Sequence, residues 1–378
     1  CASKPKQSWI ATLMQCGGFA LLIIGTFADR FGRKTTTSFV TIFLFLTCLT
    51  TQIIMQWIPM TVEMKFALLL LNQFASGLSA AAFSLIFILG LELTSSSHTS
   101  LAGNAALVSF TIGECIVTLF AYLAKDWQIL KWADTAFIAT TNKRKEEDWY
   151  PVYQEFLKNQ SSKLLHVNEL TFSQKAHRIL THRPTVVKLL TTALLGFTTL
   201  MLYIKISYGL AVMSISPYLG ILIGAAVEAA GYIAGSLLIS TRLARKGSFI
   251  LMAILTIISV ILIPIILKHS SIATVFIAQF GKFAISGAIA VSWIYVPELF
   301  PTSIRSSANG FFIAFSRIGA IVAPIINASV SNEYLPYTFY ASAGLAVIVV
   351  LLTLVLPETK YKQLDEEEDY TTNKNSAA

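Results

Sequence analysis

Charged residues are scarce in this chain of 378 residues, since Asp, Glu, Lys and Arg together make up 13% of it. Soluble globular domains carry about 25% of these residues. A chain that is 55% hydrophobic, with a mean hydropathy of +0.67, has too few polar side chains to cover a soluble surface. A bilayer removes this requirement, because lipid solvates an apolar exterior. The sequence therefore predicts an all-α integral membrane protein.

Histidine and cysteine are also few, at five and four residues. The histidines have no metal-ligand spacing, and neither a nucleophile motif nor a glycine-rich phosphate loop is present. We therefore expect no enzyme activity, no metal and no cofactor. Cys16, Cys48 and Cys115 lie in apolar runs, where buried thiols are common, so only Cys1 is a candidate for a disulfide.

The net charge of +8 is compatible with a nucleic-acid partner, but the pattern of the basic residues is not. They occur in short runs between apolar segments, where they face anionic lipid headgroups. We expect membrane lipids as partners and no nucleic acid.

Ten segments have the roughly 20 apolar residues that a membrane-spanning helix needs: 9–28, 36–56, 66–91, 102–124, 187–209, 216–240, 249–267, 272–296, 308–328 and 337–356. An eleventh candidate, WQILKWADTAFIA at 127–139, is short and contains Lys131 and Asp134. It is either an interfacial or re-entrant piece or a truncated sixth helix. We favour the truncated helix, because the alternation of spans needs a crossing at this point.

These segments divide the chain into four parts. We predict an incomplete N-terminal helical bundle at 1–139, an inter-bundle loop at 140–184, a C-terminal six-helix bundle at 185–358 and a disordered acidic tail at 359–378. Two short loops are densely basic, at 30–34 and 242–246. The positive-inside rule places both loops, and the basic 140–184 segment, in the cytoplasm.

The first basic loop belongs to a motif. GTFADRFGRKTT at 25–36 separates two spans, and its pattern G-x-x-x-D-R-x-G-R-K consists of Gly25, Asp29, Arg30, Gly32, Arg33 and Lys34. A weaker copy, STRLARKGSF at 240–249, separates two spans of the second half. Matching loops in two halves are typical of transporters built from parallel repeats.

This loop resembles the signature loop of the major facilitator superfamily. Five further stretches are similar to the organic cation, organic anion and carnitine transporters, with the carnitine and organic cation branch most similar: FAYLAKDWQIL (120–130), GAAVEAAGYI (224–233), GKFAISGAIAVSWIYVPELFPTSIRS (281–306), SRIGAIVAPII (316–326) and LPETK (356–360). The resemblance covers about 1–138 and 183–362. It implies a two-bundle fold of about twelve helices.

The sequence also departs from that family. The first helix and a cysteine-containing extracellular domain are absent, so we interpret the chain as N-terminally truncated, with Cys1 as the last residue of that domain. The Pro-Glu-Ser-Pro-Arg-Trp motif after the sixth helix is replaced by ATTNKRKEED, and Asn72 and Gln73 occupy the place of an expected Arg.

The resemblance implies transport of small organic ions by alternating access, in an integral protein that we expect in the plasma membrane. Zwitterionic or cationic solutes, such as carnitine-like compounds or organic cations, are the favoured substrates. The alternatives are an organic anion transporter and a truncated isoform that does not transport. Whether a coupling ion takes part is left open.

Four ionisable residues stand out within the predicted spans, Glu114, Glu228, Lys282 and Arg317. Each costs roughly 2.5–3.5 kcal/mol to insert at mid-membrane, so such residues usually face a cavity and have a function. The alternative is mutual pairing that holds the helices together. For Glu114 and Lys282 the two interpretations weigh equally.

Arg317 occupies the position that resembles the charge-recognition site of the family, and its guanidinium can bind a substrate carboxylate in bidentate fashion. Glu228 resembles the residue of the carnitine and cation branch, so one cavity with both residues suits a zwitterion. Tyr203, Tyr208, Tyr232 and Trp293 offer aromatic faces for a quaternary ammonium. With Lys282 they complete the candidate substrate-binding residues.

The loop motif and the PELFPTSIRS stretch supply candidate gating residues: Gly25, Asp29, Arg30, Gly32, Arg33, Lys34, Glu298 and Arg305. We expect them to clamp helices at the cytoplasmic face and to set the equilibrium between outward and inward states. The alternative is that they only fix the topology of the chain.

Overall fold

The computed structural model describes residues 4–20, 24, 33–93, 99–144, 182–212, 217–300, 302–331 and 333–359. These ranges form α-helices and contain no strand. The helices are α1 (Lys4–Phe19), α2 (Arg33–Trp57), α3 (Val62–Leu93), α4 (Thr99–Ala124), α5 (Trp127–Arg144), α6 (Arg183–Val212), α7 (Pro217–Ser240), α8 (Ala244–Leu267), α9 (Ser271–Glu298), α10 (Thr302–Ser329) and α11 (Leu335–Val355).

Nine of these helices are long and apolar enough to cross a membrane, namely α2, α3, α4 and α6 to α11. They coincide with nine of the ten predicted spans, which confirms an all-α multi-pass membrane protein. The tenth, 9–28, begins within α1, a helix of 16 residues. Residues 21–23 and 25–28 of that span lie outside the described residues.

The uncertain segment at 127–139 is helical and belongs to α5, which has 18 residues. Helix α5 packs against α2 and α4. The indole nitrogen of Trp132 donates a hydrogen bond to Gln56 Oε1 at 2.8 Å, and Gln52 donates to the backbone oxygen of Gln128 at 3.4 Å. At 1.5 Å per residue, α5 is about 27 Å long. A sixth crossing at this position is therefore a proposal that the helix length and packing favour.

The helices form two groups. In the first group, α3 packs against α1, α2 and α4, and α5 packs against α2 and α4. In the second group, α7, α8, α10 and α11 pack around the central helices α6 and α9. Contacts between the groups run through α1 with α10 and through α4 with α7 and α9. The predicted boundaries near 139 and 185 are consistent with this division and remain proposals, because residues 145–181 lie outside the described part of the chain.

The largest hydrophobic core lies in the second group. Tyr295, Phe249, Phe300 and Phe312 are among its fully buried side chains. By contrast, Phe39, Phe276 and Val355 are each more than 70% exposed. Large apolar side chains on the exterior are what a lipid environment allows and water disfavours.

Small residues permit close contact between α1 and α3. A Cβ added at Gly17 would collide with the backbone oxygen of Phe74, and a Cβ added at Gly77 would collide with that of Met14. Close backbone approach at small residues is a common way to associate helices in lipid, where no hydrophobic force drives helices together. This contact helps to fix α1 in the first group, from where α1 also reaches α10.

Candidate functional site

Three side chains meet around one buried carboxylate in the second helix group. Glu228 on α7 is 0% exposed. Its Oε1 accepts a hydrogen bond from the Tyr232 hydroxyl at 2.6 Å, and its Oε2 accepts one from the Tyr203 hydroxyl at 2.9 Å. The ammonium of Lys282 lies 3.2 Å from the same Oε2. We call Tyr203, Glu228, Tyr232 and Lys282 the Glu228 cluster.

Helix geometry brings the cluster together. Glu228 and Tyr232 are four residues apart on α7 and therefore share one face. Tyr203 comes from α6 and Lys282 from α9, and both helices pack against α7. The Lys282 ammonium also lies 5.9 Å from the centre of the Tyr203 ring. Gly224 leaves room for this lysine, since a Cβ there would be 3.0 Å from the lysine Nζ.

The charge of Glu228 is thus compensated inside the protein. Burial of a carboxylate and an ammonium removes both from water, and good geometry with additional hydrogen bonds is needed to offset that cost. The two tyrosine hydroxyls supply those bonds. The interpretation in which Lys282 pairs with a neighbouring charge agrees with this geometry, and the substrate-binding roles of Glu228 and Lys282 remain predictions.

Arg317 has different surroundings. It lies on α10 where that helix meets α1, and its Nη1 donates a hydrogen bond to Gln15 Oε1 at 3.0 Å. A Cβ at Gly18 would be 3.3 Å from the Arg317 Nε, so the guanidinium packs closely on α1. No acidic side chain in the described ranges forms an ion pair with Arg317. Its recorded partner is a neutral amide.

The predicted substrate residues therefore fall in separate places. Four of them form the Glu228 cluster, whereas the described contacts do not join Arg317 to that cluster. Trp293 on α9 packs edge-on against Phe87 of α3, with ring centres 5.0 Å apart, in a contact between the two helix groups. Tyr208 lies in α6, and its side chain is outside the described residues.

Most of the predicted gating residues cannot be placed. Gly25, Asp29, Arg30 and Gly32 lie outside the described residues. Arg33 and Lys34 begin α2, and Arg305 lies in the first turn of α10, but their side chains are likewise outside the description. Their gating role stays a prediction.

Glu298 is described, and it pairs with the second polar loop. The Arg245 Nη2 donates a hydrogen bond to Glu298 Oε1 at 2.7 Å, and the two side chains form an ion pair. The Thr359 hydroxyl donates to Glu298 Oε2 at 2.8 Å. Helix α9 is thereby fastened to the start of α8 and to the segment that follows α11.

Sequence reasoning missed the carboxylate that completes this arrangement. Glu358 accepts hydrogen bonds from the backbone nitrogens of Arg245 and Lys246 at 3.1 and 3.0 Å, at the first turn of α8. A negative charge at a helix N-terminus is favourable, because the free N–H groups there carry partial positive charge. The sequence offered a signal for this residue, because Glu358 belongs to the LPETK stretch that resembles the transporter family.

Sequence reasoning also missed a buried lysine. Lys205 on α6 is 3% exposed and donates hydrogen bonds to the backbone oxygen of Thr338 at 2.6 Å and to the Ser342 hydroxyl at 3.0 Å. It lies inside the predicted span 187–209, so the rule that ionisable residues within a span usually have a function would have identified it. Its neutral acceptors tie α6 to α11.

The described residues offer no group of three or more His, Cys, Asp or Glu side chains that could hold a metal ion. The candidate site is composed of charged and aromatic side chains, which can bind an organic ion by charge pairing and cation–π contact.

Comparison with known proteins agrees with the fold. A sequence model described as Major Facilitator Superfamily matches residues 226–376. The inward-open structure of the xylose transporter XylE from E. coli superposes with a TM-score of 0.75, covering 98% of this chain and 90% of that one at 14% identity. The chain therefore resembles the Major Facilitator Superfamily over residues 226–376, and its fold is that of the xylose transporter.

The names of curated relatives are more specific than the family description. Solute carrier family 22 member 4 of Mus musculus is 26% identical over 91% of this chain and 65% of its own length. Organic cation transporter protein of Drosophila melanogaster is 24% identical over 91% and 67%. Organic cation/carnitine transporter 2 of Mus musculus is 25% identical over 94% and 68%. The resemblance inferred from the motifs is confirmed, and the chain spans about two thirds of the length of these relatives.

Proposed function

We propose that this protein carries small organic ions across a membrane by alternating access between its two helix groups. The observation that supports this most directly is Arg317, a half-buried guanidinium at the α1–α10 contact between the groups, which donates a hydrogen bond to the neutral Gln15. A charged side chain at the boundary between two helix groups, in a chain with the fold of a known transporter, suits a carrier. We expect transport and no enzyme activity.

The substrate class follows from the two kinds of charge. A substrate carboxylate would supply Arg317 with the counter-charge that its described surroundings lack, in bidentate geometry. Glu228 already has Lys282 and two tyrosine hydroxyls, so a cationic group gains less from it. We therefore propose a zwitterion with a carboxylate and a quaternary ammonium, of the carnitine-like type, as the preferred substrate, ahead of simple organic cations.

The proposal also includes the orientation of the carrier in the membrane and its location in the cell. Arg242 in the turn between α7 and α8 and Lys246 in the first turn of α8 lie at one end of the second group. The positive-inside rule assigns that end to the cytoplasm. Anionic headgroups there attract such residues by about 1 kcal/mol each. We propose the plasma membrane as the location, with the 140–184 loop and the 359–378 tail in the cytoplasm.

An organic anion carrier is the second candidate, because Arg317 has no described ion-pair partner. One relative is named Organic anion transporter 3, from Oryctolagus cuniculus, at 24% identity over 91% of this chain and 67% of its own length. A protein that reaches the membrane without transporting is the third candidate.

Uptake of three tracers by cells that express the chain tests these candidates: a carnitine-like zwitterion, a purely cationic quaternary ammonium and a dianion. Surface biotinylation measures the amount of protein at the membrane and normalises each rate. We expect uptake to fall in the order zwitterion, cation, dianion. A preference for the dianion would establish the organic anion candidate, and normal surface amounts with no uptake of any tracer would establish the third.

A further inference from the structure

Glu114 is an intramembrane carboxylate with no role in the substrate site proposed above. It lies in the middle of α4, the helix of the first group that packs against α7 and α9 of the second group. It interacts electrostatically with Lys282 and with Glu228, so it faces the Glu228 cluster across the boundary between the groups. Its Oε2 is buried and accepts no hydrogen bond in the described part of the chain.

The charges at this boundary do not balance if both carboxylates are ionised. Glu114 and Glu228 share a single ammonium, that of Lys282, which lies 3.2 Å from Glu228. Both tyrosine hydroxyls donate to Glu228 as well. Glu114 therefore shares its counter-charge with Glu228, and its Oε2 is buried without a described donor. Burial of a carboxylate oxygen without a donor is unfavourable, and the simplest neutralisation is a bound proton.

Charged residues on the neighbouring helices α3 and α5 do not supply a counter-charge to Glu114. On α5, Lys131 and Asp134 interact with each other and with Cys48 of α2. On α3, Glu63 and Lys65 lie exposed at the beginning of the helix. Lys282 of α9 and Glu228 of α7 are the charged groups recorded as interacting with Glu114.

We propose that Glu114 is a proton-binding residue of the carrier, protonated while α4 rests on α7 and α9 and deprotonated when these helices separate and admit water. In each cycle a proton from water on one side binds the Glu114 carboxylate and leaves to water on the other side. Because α4 and the Glu228 cluster belong to different groups, the motion that exposes the substrate also changes the distance from Glu114 to Lys282. The transport half of this inference rests on the proposed function, whereas proton binding does not.

A proton suits this position better than a sodium ion. Sodium sites in transporters draw several oxygens together, commonly from unwound backbone carbonyls. Helix α4 is continuous from Thr99 to Ala124, so its carbonyls near Glu114 are engaged within the helix. One carboxylate oxygen is sufficient for a proton.

Infrared difference spectroscopy tests proton binding without any transport. The purified chain in lipid nanodiscs is taken from low to high pH, and the C=O stretching band of a protonated carboxylic acid is recorded. We expect a band that Glu114→Gln removes and that the control Glu63→Gln leaves intact. Glu114→Asp keeps an acid at the position and should keep a shifted band. A spectrum without such a band, or a band that survives Glu114→Gln, would overturn the proposal.

Uptake of the zwitterionic tracer into proteoliposomes tests the coupling. An inward proton gradient in sodium-free buffer should raise the initial rate several-fold in the wild type. Glu114→Gln should abolish this stimulation while tracer exchange at equal pH persists. Stimulation by a sodium gradient and not by protons would contradict the coupling. If no organic ion is taken up, the proposed function fails, and the infrared band still decides whether Glu114 binds a proton.

Discussion

Glu228 and Arg317, two charged residues of the second helix group, differ in how completely the protein compensates their charges. Glu228 has an ammonium and two hydroxyl donors within hydrogen-bonding or ion-pairing distance, all from its own group. Arg317 has one described hydrogen bond, to the amide of Gln15, which belongs to the other group. The first charge is enclosed within one helix group, and the second lies on the boundary between the two groups.

This difference separates a structural role from a recognition role. A fully compensated charge stabilises the packing of α6, α7 and α9 and gains little from a ligand. A guanidinium that faces a neutral amide has unused donors, because it carries five N–H groups in a fixed fork. A ligand carboxylate can accept hydrogen bonds from those N–H groups. The hydrogen bond to Gln15 joins the two helix groups, so it depends on their relative position.

The largest effect should follow from Lys282→Met. The substitution leaves the Glu228 carboxylate buried without its ammonium, and breaking a buried pair in this way costs about 3–5 kcal/mol. We expect a clear fall in the thermal unfolding midpoint of the purified protein in detergent. The double variant Lys282→Met with Glu228→Gln removes both charges and should recover most of the loss. An unchanged midpoint in the single variant would show that the pair is not a structural element.

The next effect concerns selectivity and should follow from Arg317→Asp. The variant replaces a group that attracts carboxylates with one that attracts ammonium groups, so the ratio of zwitterion to cation uptake should fall. A charge-assisted hydrogen bond contributes about 1.5–3 kcal/mol, which corresponds to roughly a ten- to hundredfold change in this ratio. Arg317→Lys is the control that keeps the charge. An unaltered ratio at normal surface amounts would assign Arg317 to helix packing.

A smaller loss of stability is expected for Tyr203→Phe. This variant removes one of the two hydroxyl donors to Glu228 and keeps the ring, while Lys282 and Tyr232 remain in place. The loss should be about 1.5 kcal/mol, measured as a downward shift of the unfolding midpoint. Tyr340→Phe, at an exposed position of α11, provides the matched control and should leave the midpoint unchanged. Equal shifts in both variants would contradict the specific role of Tyr203.

The smallest effect should come from Gln15→Leu. The neutral amide contributes one hydrogen bond to Arg317, so its removal should cost about 1 kcal/mol or less. Uptake selectivity should stay as in the wild type, because the guanidinium remains. A loss of zwitterion preference as large as that of Arg317→Asp would place Gln15 itself in the recognition of substrate.

The sequence predicted the fold well because hydrophobic length is a strong signal. Nine spans match helices of the structure, and the quoted motifs identified the family that the comparisons support. The segment at 127–139 was harder to assign, since Lys131 and Asp134 lower its hydropathy. Its helical state depends on packing with α2 and α4, which a local pattern does not contain.

The candidate site was only partly predictable. An ionisable residue in an apolar span is visible in the sequence, which is why Glu228, Lys282 and Arg317 were found. Which of them pair is a question of tertiary contact: Glu228 and Lys282 lie on α7 and α9, with α8 between them in the chain. The same reason hid the link from Glu358 to the start of α8, more than 110 residues away in sequence.

The central claim is that Arg317 recognises a substrate carboxylate, and esterification of the substrate tests it most directly. Inhibition of tracer uptake is measured for a carnitine-like zwitterion and for its methyl ester, in the wild type and in Arg317→Met. The account predicts that the ester binds at least roughly tenfold more weakly than the acid in the wild type, and that the two are equal in the variant, because one charge-assisted contact is lost either way. Equal inhibition by acid and ester in the wild type, or an unchanged ratio in Arg317→Met, would contradict it.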